Sequence, residues 1–270
     1  MLILLPPSEG KADPPSGARR TRPLDLDRLS SPGLTPARER VLDALTGLCA
    51  DQDPAVAARA LGLTAGQHPE LARNAVLRSA PARPAGEVYT GVLYQALDAG
   101  TLAAPARRQL DRQVLIFSAL WGVLRRTDRV PAYRCSMAAR LPGLGALAGH
   151  WRRVLDPALT AAAGRGLILD LRSGPYASAW RPAAGSDLAR RTVAVRVLHE
   201  RLVDGRPERS VVSHVNKATK GRLVRALVTA EARPTTVAGL VSVLRDLTFT
   251  VEQRTDQHGC AHLDLVVDRL

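Results

Sequence analysis

The chain has 270 residues, 46% of them hydrophobic, and its 38 Lys and Arg against 25 Asp and Glu give a net charge of +13. This length and hydrophobic content exclude a disordered chain and are enough to form a sizeable core. Three widely spaced cysteines, Cys49, Cys135 and Cys260, exclude a disulfide framework and a paired zinc motif, so we expect a reduced intracellular setting.

Short apolar runs and longer amphipathic segments alternate along the chain, which is typical of a mixed α/β protein. In chain order, the apolar runs predict strands at Leu2–Leu5, Val114–Phe117, Leu167–Leu171, Val193–Leu198, Val211–Val215, Leu247–Val251 and Leu263–Val267. The amphipathic segments predict helices over residues 36–49, 53–61, 68–79, 101–111, 144–163, 219–231 and 235–246.

The Pro- and Gly-containing stretches 11–34 and 80–88 are predicted to be irregular connections. Because the chain has no internal repeat and no long linker, we predict a single compact domain over residues 1–270, with a central mixed sheet flanked by helices. The apolar run Leu2–Leu5 is too short for an export signal, and no stretch has the roughly 20 apolar residues of a membrane span. We therefore expect a soluble, cytoplasmic protein without a membrane partner.

The excess of positive charge lies in two parts of the chain. Residues 101–155 carry a net charge of +8 and residues 181–235 a net charge of +7, whereas 1–100 and 156–180 are balanced and 236–270 is slightly acidic. A bias toward Arg codons explains Arg in place of Lys, but it does not explain why the cations lie in two blocks. The distribution favours a local cationic surface.

The first candidate residues lie in a loop at the end of a predicted strand. Ser8, Glu9, Gly10 and Lys11 follow the apolar run Leu2–Leu5, as in loops that bind phosphate, although the first glycine and the final Ser/Thr of a Walker A motif are missing. The alternative is an ordinary turn. Because polar groups at the end of a central strand often belong to functional sites, Ser8, Glu9 and Lys11 are candidates.

The second group of candidates follows the predicted strand at Val114–Phe117. It consists of four arginines and one tyrosine, namely Arg125, Arg126, Arg129, Tyr133 and Arg134. Arginine pairs bidentately with phosphate, and the tyrosine ring could stack on a base or cover the loop. The alternative is a solvated loop in which Asp128 pairs with one or two of the arginines.

The third group lies in a predicted helix that follows a strand end at Ser213. Its first turns carry four cations, Lys217, Lys220, Arg222 and Arg225. Cations near a helix N-terminus oppose the helix dipole, so their presence indicates that an anion binds there. Helical spacing places Lys217, Lys220 and Arg225 in one cationic stripe.

Metal and thiol chemistry are not favoured by the sequence. His258, Cys260 and His262 alternate, but three ligands in a row cannot surround a tetrahedral ion, and Gly259 is predicted to form a hairpin turn. Cys135 lies in a cationic stretch, but no histidine is near it in the sequence to act as its base. We therefore expect no metal and no cofactor.

A helix–turn–helix unit is predicted over residues 53–79, with an apolar-Gly-apolar turn at Leu61-Gly62-Leu63. Such a turn is typical of a helix-hairpin-helix, in which backbone amides face a DNA phosphate. Ordinary helix pairs use the same turn, so this pattern leaves both interpretations open.

Five motifs together resemble the YaaA peroxide stress resistance family, in its order and at its spacing over nearly the whole chain. They are Met1–Glu9, Val88–Gly91, Phe117–Arg125 with Asp128, Pro131, Tyr133, Arg134 and Met137, then Leu169–Tyr176 and Lys217–Gly221. The resemblance implies a cytoplasmic bacterial protein that binds DNA, protects it during hydrogen peroxide stress and limits free iron. It also implies a YaaA-type α/β fold with a helix-hairpin-helix-like element and a basic cleft. By position, that cleft would hold Lys11, Tyr89, Arg125, Asp128, Tyr133, Arg134, Lys217 and Lys220.

Two functions are open at this point. The first is sequence-nonspecific DNA binding in the peroxide stress response, with phosphate bound by Lys11, Arg125, Arg129, Arg134, Lys217, Lys220, Arg222 and Arg225. The second is an enzyme acting on a nucleotide or another phosphorylated small molecule, with catalytic candidates Ser8, Glu9, Lys11, Tyr133 and Arg134. An enclosed pocket favours the enzyme, and an open basic groove favours DNA. Iron sequestration is a weaker third possibility, since the histidines and carboxylates form no ligand set.

Overall fold

The computed structural model describes residues 1–12, 22–203, 206–256 and 260–267. In this part of the chain a sheet of eight strands forms the centre of the protein, in the order β11-β12-β9-β8-β1-β3-β4, with β10 paired to β9. These strands are β1 (Leu2–Leu5), β3 (Val114–Ser118), β4 (Gly122–Leu124), β8 (Ile168–Asp170), β9 (Thr192–Val203), β10 (Arg206–Ser210), β11 (Thr250–Thr255) and β12 (Ala261–Val267). Two short pairs lie outside it, β2 (Arg83–Pro84) with β5 (Arg129–Val130) and β6 (Arg140–Leu141) with β7 (Gly145–Ala146).

The helices lie between and around these strands. They are α1 (Thr35–Asp51), α2 (Pro54–Leu61), α3 (Pro69–Ala75), α4 (Ala85–Val88), α5 (Val92–Leu97), α6 (Ala104–Gln113), α7 (Leu147–Arg152), α8 (Leu155–Ala163), α9 (Gly174–Ala177), α10 (Asp187–Arg190), α11 (Ser213–Thr229) and α12 (Val237–Asp246). No helix of the described residues is long and apolar enough to cross a membrane.

The middle of the sheet is parallel and buried on both faces. β1 pairs in parallel with β3 on one side and β8 on the other, so that Leu4 lies opposite both Leu115 and Asp170. All four residues of β1 are buried, as expected for a strand covered by helices on both faces. The chain leaves β1 toward β3 and later returns to β8 on the opposite side, and at such a point parallel sheets commonly bind ligands beyond the strands' carboxyl ends.

The antiparallel hairpin β3–β4 closes one side of the sheet. Gly122 begins β4 with φ of 72°, and a Cβ at this position would lie 2.7 Å from the buried ring of Trp151. Glycine is therefore required both for the backbone conformation and for the close approach of the ring. The hairpin is tied to α1 by the buried Arg38 side chain, which donates to Trp121 O at 3.1 Å and to Val123 O at 2.9 Å.

Helix α11 packs directly against α5 through Gly221. A Cβ at Gly221 would overlap the carbonyl oxygen of Leu93 and lie 2.9 Å from Leu97 N. Arg225 extends the contact by donating to Leu97 O at 3.0 Å and to Asp98 O at 2.7 Å. These contacts set the position of α11 relative to the sheet, and hence the position of the lysines in its first turns.

The mixed α/β class, the single domain and the central mixed sheet with flanking helices are confirmed. Five predicted strands are found close to their expected positions, as β1, β3, β8, β9 and β12. β4 and β10 were not among the predicted strands, and the connection 80–88 contains the short elements β2 and α4. Part of the predicted irregular stretch 11–34 lies outside the described residues.

Three predicted elements are wrong in type or extent. The run Val211–Val215 is not a strand, because α11 begins at Ser213 and buries Val215 and Leu223 on one helical face. The strand predicted at Leu247–Val251 is displaced to Thr250–Thr255, because α12 ends at Asp246 and the chain turns first. The helix predicted over 144–163 is two helices, α7 and α8, since proline at position 157 cannot donate a backbone hydrogen bond to the preceding turn.

The predicted helix–turn–helix over 53–79 is present, but its role as a helix-hairpin-helix is not confirmed. Gly62 ends α2 in the left-handed conformation, and its N–H donates to Arg59 O at 3.2 Å. The next two amides are also engaged, since Leu63 N–H donates to Ala58 O at 2.9 Å and Thr64 N–H to Gln67 Oε1 at 3.1 Å. The amides that such a motif offers to phosphate are therefore already bonded within the protein.

Candidate functional site

A cavity of about 650 Å³ lies beyond the carboxyl ends of β1 and β8. It is lined by the loop after β1, residues 6–11, and by five other segments of the chain. These are 90–94, 134–136, 172–176, 195–196 and 213–220, and the last contributes Ser213, Asn216, Lys217 and Lys220. We call this cavity the strand-end pocket.

The loop after β1 is closed by its own hydrogen bonds. Ser8 Oγ accepts the N–H of Thr90 at 2.9 Å and donates to Gly10 O at 2.5 Å. Lys11 Nζ reaches back to donate to Ser8 O at 3.1 Å and to Glu9 O at 3.3 Å. The loop is thus held in a tight turn that keeps the lysine amine in the wall of the pocket.

The Lys11 amine lies over two aromatic rings. Its Nζ is 4.3 Å from the ring centroid of Tyr133 and 5.7 Å from that of Tyr89. Ring faces and carbonyl oxygens favour the ammonium form. Burial and, second, the nearby Arg134 outweigh them and lower the pKa of Lys11 from 10.5 to about 8.

Beneath this lysine, three hydroxyl groups form a buried chain. Tyr133 OH lies 2.7 Å from Ser118 Oγ and 2.9 Å from Tyr89 OH. Burial raises the pKa of Tyr89 to about 12 and raises the pKa of Tyr133 well above its ordinary value. Both phenols therefore stay neutral, which makes Tyr133 a structural support for Lys11 and a poor proton acceptor at neutral pH.

Arg134 and Glu9 form the outer wall of the pocket. Arg134 donates through Nη1 to Glu9 O and through Nη2 to Glu9 Oε2, both at 3.2 Å. Asn74 holds the Arg134 backbone by bonding both its N–H and its carbonyl. The Glu9 side chain is 87% exposed, so this ion pair opens at little cost and leaves both groups available to a ligand.

Two buried or half-buried ion pairs support the opposite wall. Arg172 is buried, lies 2.6 Å from Asp170 Oδ2, and its guanidinium is 4.2 Å from the ring centroid of Phe117. Arg196 donates to both oxygens of the buried Asp264, at 2.9 and 2.7 Å. Because their partners neutralise them locally, these arginines shape the pocket more than they charge it.

The first turns of α11 form the third side of the pocket. Lys220 is buried and donates to Leu171 O at 3.0 Å, and burial lowers its pKa from 10.5 to about 8 although Asp170 opposes the change. Asn216 Oδ1 is buried and has no hydrogen-bond partner within the described parts of the chain. Lys217 is exposed and is not paired with any described residue. Because α11 begins at Ser213, which lines the pocket, the positive end of its helix dipole lies at this side of the pocket.

A model of the family described as peroxide stress protein YaaA matches residues 1–254. The chain belongs to this family. A UPF0246 protein of Streptomyces coelicolor is 53% identical over 259 residues, which cover 96% of this chain and 95% of the relative. UPF0246 proteins of Corynebacterium efficiens and Corynebacterium glutamicum are 41% and 37% identical, cover 93% and 94% of this chain, and are each matched over 95% of their own length. The match to the YaaA family associates the chain with peroxide stress.

In this YaaA family member, six of the predicted site residues meet in the strand-end pocket. They are Ser8, Glu9, Lys11, Arg134, Lys217 and Lys220, and Tyr89 and Tyr133 lie directly beneath Lys11. These residues come from both ends and the middle of the chain.

The predicted phosphate contacts Arg125 and Arg129 lie outside the pocket lining and bond to the protein itself. Arg125 Nη1 donates to Arg112 O at 2.6 Å, and Arg129 Nη2 donates to Ala82 O at 2.8 Å. Asp128 is buried and accepts the N–H of Arg125 at 2.8 Å and that of Ser30 at 2.9 Å. The predicted alternative was a solvated loop in which Asp128 pairs with arginines, whereas Asp128 is buried and its hydrogen bonds come from backbone amides and the Ser30 hydroxyl.

The remaining predicted cations of α11 also lie outside the pocket lining. Arg225 bonds to the end of α5, as described above, and Arg222 is exposed. The predicted cationic stripe is therefore divided, with Lys217 and Lys220 at the pocket and Arg225 in a helix contact.

Three residues that line the pocket, Arg172, Arg196 and Asn216, were not among the predicted site residues. A signal for Arg172 was present, since it follows a buried strand, as Ser8 does. Arg196 lies inside a strand and Asn216 inside a helix, where only the tertiary structure shows that they face the pocket.

The thiol in the pocket is held in its unreactive form. Cys135 lines the pocket, but burial raises its pKa to about 12, so its reactive thiolate is not populated at neutral pH. No cluster of three potential metal ligands occurs in the described ranges. His258 and the predicted turn at Gly259 lie outside them.

Proposed function

We propose that this protein binds DNA without sequence preference during peroxide stress, with the strand-end pocket as the point of phosphate contact. One observation carries the proposal. Among the described residues that line the pocket, three lysines have no carboxylate at ion-pair distance, namely Lys11, Lys217 and Lys220. The lining also holds Arg134, Arg172 and Arg196, which are paired with Glu9, Asp170 and Asp264.

The arrangement of these charges supports an anion as the ligand. Lys217 is exposed and has no partner among the described residues, so it can meet a phosphate without breaking an existing bond. The N-terminus of the 17-residue helix α11 adds unbonded amides and the positive end of a dipole beside it. Deeper in the pocket, the hydrogen bonds of Lys11 and Lys220 to the described residues all go to carbonyl oxygens. Phosphate attracts an ammonium group more strongly than a carbonyl does.

Protection of DNA and limitation of free-iron damage enter this proposal through the family's association with peroxide stress. The described residues hold no metal-ligand cluster. We therefore attribute protection to occupancy of DNA by the protein, and any effect on iron would act indirectly.

The proposal is tested by a mobility-shift titration of double- and single-stranded oligonucleotides at several salt concentrations. We expect the logarithm of affinity to fall linearly with the logarithm of salt concentration. Lys217→Glu should weaken binding by about tenfold, because one attraction is replaced by one repulsion, and should lower the salt slope by about 1 to 2.

Arg108→Glu is the matched control, because Arg108 is also exposed and lies on α6, outside the pocket lining. It changes the net charge by the same amount and should weaken binding much less. Salt-independent binding, or equal losses in the two variants, would contradict the proposal.

A second candidate is favoured by the shape of the site. The volume of about 650 Å³ is typical of a small-molecule site, and Arg134 meets Glu9 and Lys11 there from a distant part of the chain. We therefore also propose a nucleotide or another phosphorylated small molecule as ligand, with an enzymatic role open. Calorimetric titration with AMP and ribose 5-phosphate tests it. Saturable binding of either one, lost in Lys217→Glu, supports this candidate, and binding of oligonucleotides alone contradicts it.

A further inference from the structure

The amine of Lys11 differs from an ordinary surface lysine in what surrounds it. It donates to two backbone carbonyls and, within the described residues, no carboxylate lies at ion-pair distance from its Nζ. An ammonium group has three hydrogens, so two bonds leave one of them unused. The amine is therefore held in place without the acidic partner that would lock it in its charged form.

Burial of Lys11 and the nearby Arg134 favour loss of its proton. They outweigh the rings of Tyr133 and Tyr89, over which its Nζ lies and which favour the charged form. With a pKa of about 8, a substantial fraction of the amine is neutral near physiological pH, whereas an ordinary lysine is almost wholly charged. A desolvated lysine beside another cation is the arrangement that activates amines as nucleophiles toward carbonyl compounds.

The pocket also offers a group that can carry protons. Glu9 lines the pocket two residues from Lys11, and its carboxylate is 87% exposed and held by one ion pair to Arg134. It can therefore turn toward a ligand that displaces this ion pair. Lys217 and Arg134 remain available to bind a phosphate of the same ligand.

We propose that Lys11 forms an imine with the aldehyde of a phosphorylated sugar bound in the strand-end pocket. This proposal rests on the phosphate binding proposed above. The neutral Nζ attacks the carbonyl carbon, forming a C–N bond as the C=O π bond breaks. The two amine protons pass through the Glu9 carboxylate to the carbonyl oxygen, which leaves as water. Hydrolysis reverses the reaction, so no oxidant or reductant is needed.

The same chemistry has two sources, a free sugar phosphate and a deoxyribose in DNA that has lost its base. Both present an aldehyde in equilibrium with a cyclic form, and both carry phosphate. The experiment therefore has two arms, ribose 5-phosphate and an oligonucleotide with one abasic site. A third oligonucleotide carries tetrahydrofuran at that site, which has the same shape and no aldehyde.

Each probe is incubated with the full chain and sodium cyanoborohydride, which reduces an imine to a stable amine. We expect the protein to gain the mass of the aldehyde probe minus one oxygen atom, with peptide mapping locating the adduct on Lys11. The tetrahydrofuran oligonucleotide should bind and give no adduct. The probe that reacts identifies the source.

Three variants separate the role of Lys11 from general effects of charge. Lys11→Arg keeps the positive charge and should lose the adduct while retaining binding of the tetrahydrofuran oligonucleotide. Arg108→Lys adds an exposed amine outside the pocket lining and should leave the adduct on Lys11. Glu9→Gln should slow adduct formation several-fold without moving it to another residue.

The outcomes distinguish this inference from the proposed function. Binding of the probes without an adduct, or an adduct mapped to another amine, would overturn the role of Lys11 and leave phosphate binding intact. Absence of binding by all three probes would overturn the proposed function itself. Because peptide mapping uses the wild-type protein, assignment of the adduct to Lys11 does not depend on whether the Lys11→Arg variant folds.

Discussion

The two basic regions of the chain, residues 125–134 and 217–225, use their cations in different ways. In the first region, Arg125 and Arg129 donate to backbone carbonyls and Arg126 pairs with Asp111. Only Arg134 of this group lines the strand-end pocket within the described residues. The region holds its own loop together.

In the second region, two of the four cations line the strand-end pocket. Lys217 is exposed without a partner among the described residues, and Lys220 is buried in the pocket wall. A block of positive charge in a sequence can therefore serve the stability of the fold, the binding of an anion, or both. This difference predicts that the loss of a contact in the first region mainly lowers stability, whereas the loss of charge at the pocket mainly lowers binding.

The largest effect is expected at Asp128, the buried carboxylate of the first region. Asp128→Ala leaves the N–H of Ser30 without its acceptor and the N–H of Arg125 with only its longer bond to Ser30 Oγ, at 3.3 Å. It also leaves Arg38 without its nearby negative charge. We expect the free energy of unfolding to fall by about 4 kcal/mol, measured by urea denaturation. The exposed Asp27 provides the control, and Asp27→Ala should change it by less than about 0.5 kcal/mol. Similar changes in the free energy of unfolding for the two variants would mean that Asp128 does not organise this loop.

A smaller loss of stability is expected where α11 meets α5. Gly221→Ala introduces a methyl group against the Leu93 carbonyl and should lower the free energy of unfolding by about 2 kcal/mol. Because α11 must shift to accept it, we also expect weaker DNA binding in the second region.

Gly149→Ala in α7 is the matched control, since a Cβ there meets no atom within 4 Å. It should be neutral or stabilising by up to about 1 kcal/mol, because alanine is the better helix former. If Gly221→Ala behaved like Gly149→Ala, the close contact between α11 and α5 would not be required.

Raising the pH should separate stability from binding. Burial lowers the pKa of Lys11 and Lys220 from 10.5 to about 8, so the folded protein releases these protons before the unfolded chain does. Between pH 8 and 10.5 the unfolded state binds more protons, and the contribution of these two lysines to stability rises with pH.

Because the two lysines lose their charge around pH 8, phosphate affinity should fall by about fivefold between pH 7 and pH 9. Parallel denaturation and binding titrations measure both trends. Lys220→Arg keeps its charge and should show a smaller loss of affinity. An affinity that did not change up to pH 9 would mean that neither lysine contacts the ligand.

The smallest effect is expected for Arg129→Ala in the first region. It removes one hydrogen bond to Ala82 O at an exposed side chain, which should cost about 0.5 kcal/mol of stability. DNA affinity should stay within about twofold of the wild type, because Arg129 lies outside the pocket lining. A loss of DNA affinity as large as that expected for Lys217→Glu would mean that the first region belongs to the DNA-binding surface.

Much of the fold could be predicted from local patterns. Dense apolar runs identified β1, β3, β8, β9 and β12, because strands covered on both faces need apolar residues at nearly every position. The start of α11 was missed for the same reason, since Val211 and Val212 extend an apolar run that ends in a helix. Local composition does not distinguish a buried strand from an extended segment that leads into a helix.

The candidate site was predicted in part, and the parts that were missed share one cause. Ser8, Glu9 and Lys11 were identifiable because a polar loop follows a central strand, whose end is a common place for a site. Arg196 and Asn216 were not identifiable, because the neighbouring sequence does not show which surface a cation in a strand or an amide in a helix faces.

The sequence by itself determined the α/β class, the family, the two blocks of positive charge and the loop that begins the pocket. Only the tertiary structure decided which of those charges a ligand can reach. A guanidinium or an ammonium group bonds to whichever carbonyl or carboxylate the fold brings to it, and for Arg129, Lys220 and Arg225 that oxygen comes from a distant part of the chain. Lys217 stays available because the packing of α11 on α5 leaves its side chain in solvent.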